Sequence, residues 1–364
     1  MAADRRIPVS VITGFLGSGK TTLLNRLLQD PAMAGAAVII NEFGEIGLDH
    51  LLIATPSENT VLLASGCICC TVRGDLVNTL RDLDKQRRQG DLPPFDRVLI
   101  ETTGLADPVP IVQTVVTDEK LAPHYALDSV VTLVDAVNGS AQLDQQPESR
   151  KQATVADRLL ITKTDIADPA AVLMLQERLA TLNPAAEVMT ASRGAVAPAL
   201  LFGASIAPES REAEVARWLR EEQYRRVEGR QYGRAPGAHD AGIRSFCLML
   251  DAPVTRAGLT AWLTALASLR GAELLRVKGL LNVEGEPVAV HAVQTLIHEP
   301  VTLEQWPDAE RRSRLVFITR GMDRAAVEDT LGVLGWTSDA ASTGVPKPDP
   351  QTYARFLAAM GRTR

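Results

Sequence analysis

The segment GFLGSGKTT, residues 14–22, fits the pattern G-x-x-x-x-G-K-[ST] and decides the fold of the first half of the chain. It follows a β-branched run at residues 9–13 and precedes a helix-like run at residues 21–29, as a phosphate-binding loop requires. Its glycines let backbone N–H groups curl around phosphate oxygens, and the helix N-terminus adds positive potential. We expect Lys20 to neutralise the β- and γ-phosphates and the Thr21 hydroxyl to hold Mg²⁺. The residues expected to bind the ligand in this segment are Gly14, Gly17, Ser18, Gly19, Lys20, Thr21 and Thr22.

Short apolar runs alternate with helix-like stretches over the first half of the chain. Strands are predicted at residues 9–13, 37–40, 61–63, 97–100, 130–134, 158–161 and 187–190. Helices are predicted at residues 21–29, 74–88, 113–117 and 170–182. Strands that are apolar throughout and separated by helices are typical of a parallel sheet covered on both faces. The expected fold class is therefore α/β: a P-loop NTPase with a mostly parallel sheet flanked by helices, followed by a smaller α+β C-terminal domain.

The composition changes near residue 225. Residues 225–242 hold four Gly, four Arg and almost no aliphatic side chains, a composition that is typical of a linker. Beyond it, strands are predicted at residues 243–250, 272–278, 287–290, 293–298 and 314–319, and helices at 255–268 and 323–334. The predicted organisation is a P-loop domain at 1–224, a linker at 225–242, an α+β domain at 243–335 and a C-terminal tail at 336–364 with a short helix near 351–360.

Composition and charge exclude several classes of protein. The chain has 364 residues, of which 46% are hydrophobic and 23% charged, the balance of a folded globular protein rather than a disordered one. A net charge of −6 argues against a nucleic-acid partner. The sequence has no run of about 18 apolar residues that would indicate a membrane span, and the N-terminus lacks the apolar core of a signal peptide. We therefore expect a cytoplasmic protein with no nucleic-acid or membrane partner.

The motif TKTD, residues 162–165, ends a predicted strand well downstream of the P-loop. GTP-binding proteins carry N-K-x-D there, and its Asp accepts hydrogen bonds from guanine N1–H and the exocyclic amino group. Adenine lacks this pair of donors, so the unpaired carboxylate disfavours ATP. We expect Asp165 to recognise guanine, Lys163 to lie along the ring, and Thr162, in place of Asn, to tether the P-loop more weakly. Residues 191–194, ASRG, are candidates for closing the base pocket.

Two acidic segments follow other predicted strands. Glu101 opens the sequence ETTG, residues 101–104, at the position where P-loop proteins keep the γ-phosphate sensor and the Mg²⁺ shell. We expect Glu101 to contribute to the Mg²⁺ site and the N–H of Gly104 to donate a hydrogen bond to the γ-phosphate. Glu42, in NEFGE at residues 41–45, is a possible metal ligand in a segment suited to switching.

Three of the four cysteines, Cys67, Cys69 and Cys70, lie within four residues. Thiolates are soft ligands that suit Zn²⁺, Cu⁺ or Co²⁺, and three of them leave one coordination position free. The absence of a second C-x-x-C favours an exchangeable metal site over a closed structural one. Redox chemistry and simple burial of the thiols remain alternatives.

Three isolated titratable residues are expected to have structural roles. His291 and His298 lie on predicted strands of the second domain, where a structural role is more common than metal binding. Asp135 ends a predicted apolar strand and is expected to cap the following turn or begin a helix rather than catalyse.

The motifs GFLGSGKTT, NEFGE, GCICC, ETTGLADP and TKTD occur in this order, and together they resemble the CobW/YjiA-like P-loop GTPases, a family of metal-handling proteins. The second domain resembles that family's C-terminal domain through LLRVKGLL at 274–281 and RLVFI at 314–318, so the resemblance spans residues 7–334. It implies GTP hydrolysis to GDP, slow without metal or client, with Mg²⁺ as cofactor. It further implies that Cys67, Cys69 and Cys70 bind zinc, or else cobalt, for delivery to a client metalloprotein.

These expectations describe a switch in which GTP and Mg²⁺ order residues 41–49 and 67–73, and hydrolysis loosens the metal site. Two other functions remain open. The chain could be a metal sensor or store in which nucleotide is a structural ligand. It could also be a P-loop ATPase or kinase with a redox cysteine cluster. The sequence leaves the oligomeric state undetermined.

Overall fold

The computed structural model describes residues 6–41, 61–65, 72–203, 243–271, 273–336 and 358. Contacts divide the chain into two compact units. The first unit consists of Met1–Ala180 and Ala186–Arg211, and the second of Thr181–Ala185 and Glu212–Arg364.

The first unit alternates strands with helices. Its described strands are β1 (Ile7–Gly14), β2 (Ala36–Asn41), β3 (Val61–Ser65), β4 (Arg97–Glu101), β5 (Tyr125–Asp135), β6 (Arg158–Thr162) and β7 (Glu187–Thr190). Its described helices are α1 (Lys20–Leu27), α2 (Val72–Gln89), α3 (Val109–Thr117), α4 (Gly139–Gln145), α5 (Pro147–Val155), α6 (Pro169–Leu182, whose last two residues belong to the second unit) and α7 (Pro198–Leu201). A short 3₁₀ helix covers Pro31–Met33.

The seven strands form one sheet in the order β3-β2-β4-β1-β5-β6-β7, and every pairing is parallel. β1 lies in the middle with β4 and β5 on either side. Because the strands are buried on both faces, they are nearly continuous runs of Val, Ile and Leu. Loops that follow parallel strands meet at the same edge of the sheet, so the segments after β1, β4 and β6 come together.

The second unit is an antiparallel sheet with helices on one face. Its described strands are β8 (Ile243–Leu250), β9 (Leu274–Val283), β10 (Glu286–Val293), β11 (Leu296–Ile297), β12 (Val301–Thr302) and β13 (Ser313–Arg320). Its described helices are α8 (Arg256–Arg270), α9 (Arg324–Glu328) and a 3₁₀ helix, Leu331–Gly335. The strand order is β11-β10-β9-β13-β8, with β12 paired to β10. Trp262 of α8 is fully buried against Phe317 of β13 in the core of this unit.

The expected fold class is confirmed, and all seven strands expected in the first domain are present. Three short helices were missed. The sequences of α4 and α5 are mostly polar and carry no apolar stripe of helical period, and α7 has only four residues, too few to show a period. The prediction of one strand at 293–298 is wrong. Gln294 adopts a φ of 53°, and β11 turns back to pair with the end of β10.

The prediction of one helix at 323–334 is also wrong, because α9 ends at Glu328 and the 3₁₀ helix begins at Leu331. Between them the Thr330 hydroxyl donates to the Val327 carbonyl at 2.7 Å and accepts from Trp262 Nε1 at 2.8 Å. This tertiary contact interrupts the helix.

Several expectations fall outside the described residues. The linker at 225–242 is one of them, and the helix near 351–360 lies outside except for Ala358. The domain boundaries therefore stay predictions. In the part of the chain that the structure describes, no helix is long and apolar enough to cross a membrane.

Candidate nucleotide site

The P-loop connects the end of β1 to the start of α1. Gly17 and Gly19 have φ of 72° and 93°, which places them in the left-handed region where a side chain is disfavoured. The Lys20 ammonium donates to the carbonyl oxygens of Gly14 at 2.9 Å and Phe15 at 3.3 Å. The loop thus curls around the Lys20 side chain, and a Gly-rich backbone of this shape suits an anion.

The segment after β4 lies directly on the P-loop. Thr102 donates its N–H to the Ile12 carbonyl at 2.9 Å and its hydroxyl to Thr13 at 2.7 Å. Gly104 has no room for a side chain, because a Cβ there would stand 2.7 Å from the Leu16 nitrogen and 2.8 Å from its Cα. Gly104 therefore approaches the P-loop backbone closely, in keeping with its predicted place at the γ-phosphate.

The donor set at this edge fits the predicted Mg²⁺. Glu101 ends β4 in register with Ile12, and its side chain is buried. Thr21 stands in the first turn of α1. A hydroxyl and a carboxylate are the hard oxygen ligands that Mg²⁺ prefers, and waters or phosphate oxygens complete its shell.

Thr162 makes the tether to the P-loop that the sequence predicted to be weak. Its hydroxyl donates to the Ser18 carbonyl at 2.7 Å, across 144 residues of sequence, and both side chains are buried. β6 is close enough to the loop for the short Thr side chain to reach Ser18. That this tether is weaker than one made by Asn stays a prediction.

Lys163 is held by Asp135, a partner that the sequence did not indicate. Lys163 adopts a φ of 58°, and its ammonium donates to the Asp135 carboxylate at 2.7 Å. That carboxylate also accepts from the Val137 N–H at 2.8 Å and from Asn138 Nδ2 at 3.0 Å. Burial tends to raise the pKa of Asp135, but the hydrogen bonds from Lys163, Asn138 and Val137 outweigh it and hold the pKa below its usual range. Asp135 does bind the turn before α4, as predicted, and it also orients Lys163.

Asp165 lies beside the segment that was expected to close the base pocket. The Arg193 N–H donates to the Asp165 carboxylate at 3.4 Å, and the Arg193 guanidinium lies 3.6 Å from it. Thr164 donates its hydroxyl to the Ala191 carbonyl at 3.3 Å. Residues 191–194 are thus adjacent to Asp165, while the recognition of guanine stays a prediction.

Helix α5 contributes two residues that sequence reasoning missed. Gln152 is buried, and its Nε2 donates to the Ala106 carbonyl at 2.9 Å and the Gly104 carbonyl at 3.2 Å. The neighbouring Lys151 forms an ion pair with Asp107. Together they hold the segment after β4 in place. No local pattern marks them, because their partners lie 44 to 48 residues away in sequence.

The predicted metal ligands lie outside the described residues: Glu42, Cys67, Cys69 and Cys70. Among the residues that are described, no group of three or more His, Cys, Asp or Glu could hold a metal ion. The rings of His291 and His298 stack at 4.5 Å in the second unit. The fourth cysteine, Cys247, is buried there as well.

The fold and the site define a P-loop nucleotide-binding protein. Family models describe the chain in two parts: the nucleotide-binding domain of CobW/HypB/UreG matches residues 8–190, and the C-terminal domain of the cobalamin synthesis protein CobW matches residues 243–334. The chain belongs to the CobW/HypB/UreG family and carries the CobW-type C-terminal domain. This membership confirms the expected enzyme class, a P-loop GTPase.

Similar proteins cover most of the chain. The zinc chaperone YjiA of Escherichia coli is 37% identical over 314 residues, which are 86% of this chain and 93% of YjiA. The zinc chaperone CobW of Pseudomonas aeruginosa is 31% identical over 90% of this chain and 91% of its own length. The crystal structure of Zn(II)-bound YjiA GTPase from E. coli matches with a TM-score of 0.67 and 29% identity, covering 90% of this chain and 99% of YjiA.

Proposed function

We propose that this GTPase is a metallochaperone: it binds zinc through the thiolates of Cys67, Cys69 and Cys70 and passes the metal to a client metalloprotein under control of the GTP or GDP state. Cobalt is the second candidate metal, because thiolate ligands admit both. The similarity to proteins named zinc chaperones supports zinc as the cargo.

One observation supports the proposal: packed elements connect the Gly104 segment to Val72, the residue two positions after Cys70 in sequence. The segment after β4, which contains Gly104, continues into α3 at Val109. Helix α3 packs against α2, and α2 begins at Val72, just after Cys70. A movement of the Gly104 segment on loss of the γ-phosphate would therefore reach the thiolates through two packed helices.

The described residues have distinct roles in hydrolysis. The P-loop backbone and Lys20 bind the β- and γ-phosphates, and Asp165 selects guanine. Gly104 offers its N–H to the γ-phosphate, held against the P-loop by the contacts of Thr102 and Gln152. Thr21 and Glu101 would hold Mg²⁺, which would supply charge neutralisation to the phosphates.

The test is a competition titration of zinc against a chromophoric chelator. It is run once on protein saturated with Mg²⁺ and a non-hydrolysable GTP analogue, and once with Mg²⁺–GDP. We expect zinc to bind at least tenfold more tightly in the triphosphate state, a coupling of about 1.4 kcal/mol. Equal affinities in the two states would contradict the switch.

Two serine variants separate the proposed site from the other cysteine. Cys69→Ser should lose tight zinc binding and keep GDP binding, whereas Cys247→Ser should keep both because Cys247 is buried in the second unit. Unchanged zinc affinity in Cys69→Ser would refute the ligand assignment.

Guanine selection is tested with Asp165→Asn. This variant should bind GTP roughly 10- to 100-fold more weakly, because hydrogen bonds to a charged group contribute about 1.5–3 kcal/mol. Competition with a fluorescent GDP analogue measures the loss, and ATP serves as the comparison nucleotide. An unchanged preference for GTP over ATP in the variant would assign guanine recognition elsewhere.

A further inference from the structure

A basic pocket lies in the first unit between α2 and the start of β5. It has a volume of about 240 Å³ and is lined by four cationic side chains, Arg81, Lys85, Arg88 and Lys120, with one carboxylate. The rest of its lining is His124 and Tyr125. Such a concentration of positive charge is unusual in a chain whose net charge is −6.

The single carboxylate of the pocket is already neutralised by its own helix. Asp84 is buried and accepts from Arg87 at 3.0 Å and from Arg88 at 2.7 Å, one helical turn further along α2. Arg88 also donates to His124 Nδ1 at 2.9 Å. Since a guanidinium can only donate, His124 Nδ1 is the acceptor in this contact.

Three cations of the pocket form no ion pair with any residue that the structure describes: Arg81, Lys85 and Lys120. All three are exposed. Arg81 and Lys85 are four residues apart on α2, where like charges repel. The negative end of the α2 dipole does not explain why these cations are close together. Its effect is confined to the last turn of the helix, beyond Arg81 and Lys85, and Lys120 lies on another element. A bound anion would relieve the repulsion.

The remaining lining gives the pocket a neutral, rigid floor. The Tyr125 hydroxyl donates to the Leu80 carbonyl at 2.7 Å. Burial, with the nearby Asp84, raises the pKa of Tyr125, so the phenol stays neutral. The nearby carboxylate of Asp118 accepts the backbone N–H of Lys120, which fixes the turn that carries this lysine. Tyr125 therefore adds no negative charge to the pocket.

The pocket is distinct from the nucleotide site. His124 lies at the start of the sheet, where its carbonyl accepts from the Ile7 N–H at 2.7 Å, whereas the P-loop follows Gly14 at the other end of β1. The eight residues of β1 make seven steps from Ile7 to Gly14, a rise of about 23 Å at about 3.3 Å per step.

We propose that this pocket is a second anion site that binds a small phosphate-bearing molecule between Lys85 and Arg81 of α2 and Lys120. Two cations on one helix and one on a facing turn suit a multivalent anion, and the volume suits a ligand of one or two phosphate groups. None of its lining residues is among the proposed nucleotide or zinc ligands, so phosphate binding can be absent here while the proposed function holds.

The experiment is isothermal titration calorimetry on protein saturated with Mg²⁺–GDP, so that the P-loop is occupied. The probes are inorganic phosphate and fructose 1,6-bisphosphate, with citrate as a carboxylate polyanion, all at constant ionic strength. We expect the bisphosphate to bind more tightly than phosphate and at least tenfold more tightly than citrate. No binding of either phosphate probe, or equal affinity for citrate, would overturn the proposal.

Variants locate the binding. Lys85→Gln with Lys120→Gln should weaken the bisphosphate at least tenfold, and Lys85→Arg with Lys120→Arg should retain it. Arg244→Gln with Arg324→Gln removes the same charge from exposed positions in the second unit and should leave binding unchanged. Since the replaced lysines are exposed, the fold should be unaffected, and unaltered affinity in the double Gln variant would refute the site.

Discussion

At the scale of the residue, Gln152 connects α5 to the segment that is predicted to meet the γ-phosphate. Its amide nitrogen bridges two backbone carbonyls, those of Gly104 and Ala106, in a buried position. Because both carbonyls accept from the same Gln152 amide, removal of that amide would deprive both of this hydrogen bond. Gln152 is therefore a positioning residue, which acts through Gly104 and not on the nucleotide itself.

Gln152→Leu tests this role. It preserves the size of the side chain but removes the donor, and we expect kcat for GTP to fall about tenfold and stability to fall by about 1–3 kcal/mol. The affinity for GDP should stay unchanged, because the P-loop contacts are intact. Gln145→Leu on the exposed side of α4 is the matched control. A variant that lost GDP and GTP binding equally would indicate a purely structural role.

Asp135 gives the protein a pH-dependent contribution to stability. Its pKa is lowered in the folded state, so the carboxylate stabilises the fold above the pKa of the unfolded chain, about 3.9, and this contribution disappears as the pH falls through the folded value. At neutral pH the contribution is fully present. The hydrogen bonds from Lys163, Asn138 and Val137 are its source.

We expect Asp135→Asn to lower the free energy of unfolding by about 1–3 kcal/mol at pH 7, and the difference from the wild type to shrink below about pH 4. Urea unfolding across this range measures it. Asp144→Asn removes a half-exposed carboxylate paired with Arg178 and should change stability little. A difference for Asp135→Asn that persists unchanged at low pH would contradict the role of its charge.

At the scale of the element, α8 and the 3₁₀ helix Leu331–Gly335 pack through backbone contact. A Cβ at Gly258 would stand 2.6 Å from the Leu334 carbonyl carbon and from the Val333 oxygen. Thr255 caps α8 by accepting the Gly258 N–H at 2.9 Å, and it donates to the Leu334 carbonyl at 3.2 Å. Gly258 is thus needed for close approach and not for flexibility.

Gly258→Ala should destabilise the second unit by about 1–3 kcal/mol through overpacking, even though Ala favours helix more than Gly. Gly335→Ala is the control, because nothing lies within 4 Å of its added Cβ and its φ is not positive. Thermal unfolding measures both. A neutral or stabilising Gly258→Ala would show that the two helices can separate at no cost.

At the scale of the whole molecule, the two units have separate cores and different sheet types. The residues that are predicted to bind the nucleotide, Gly14 to Thr22, Glu101, Gly104 and Thr162 to Asp165, all belong to the first unit. Binding of a ligand to a folded unit stabilises that unit by mass action, by about 2.7 kcal/mol at a hundredfold excess over Kd.

Saturating Mg²⁺–GDP should therefore raise the unfolding temperature of the first unit in differential scanning calorimetry and leave the unfolding temperature of the second unit unchanged. Gly258→Ala identifies the transition of the second unit, since only that one should move to lower temperature. A single transition that shifts as a whole in both experiments would mean that the units unfold together.

The sequence by itself determined the P-loop, the alternation that makes a parallel sheet, and the order of the motifs. These are local patterns: residues 14–22 specify a strand, a turn and a helix through their neighbours alone. The strand endings also placed Glu101, Thr162 and Asp165 at one edge of the sheet, because parallel strands share that edge.

Only the tertiary structure decided how these segments hold one another. The bonds of Thr162 to Ser18, Lys163 to Asp135 and Gln152 to Gly104 join residues 28 to 144 positions apart. They arise because the sheet places β4, β1, β5 and β6 side by side, and because α5 packs on β1 and β5. The identity of a polar residue does not indicate which distant group will lie within hydrogen-bonding distance after folding. Neither periodicity nor spacing could therefore have predicted these contacts.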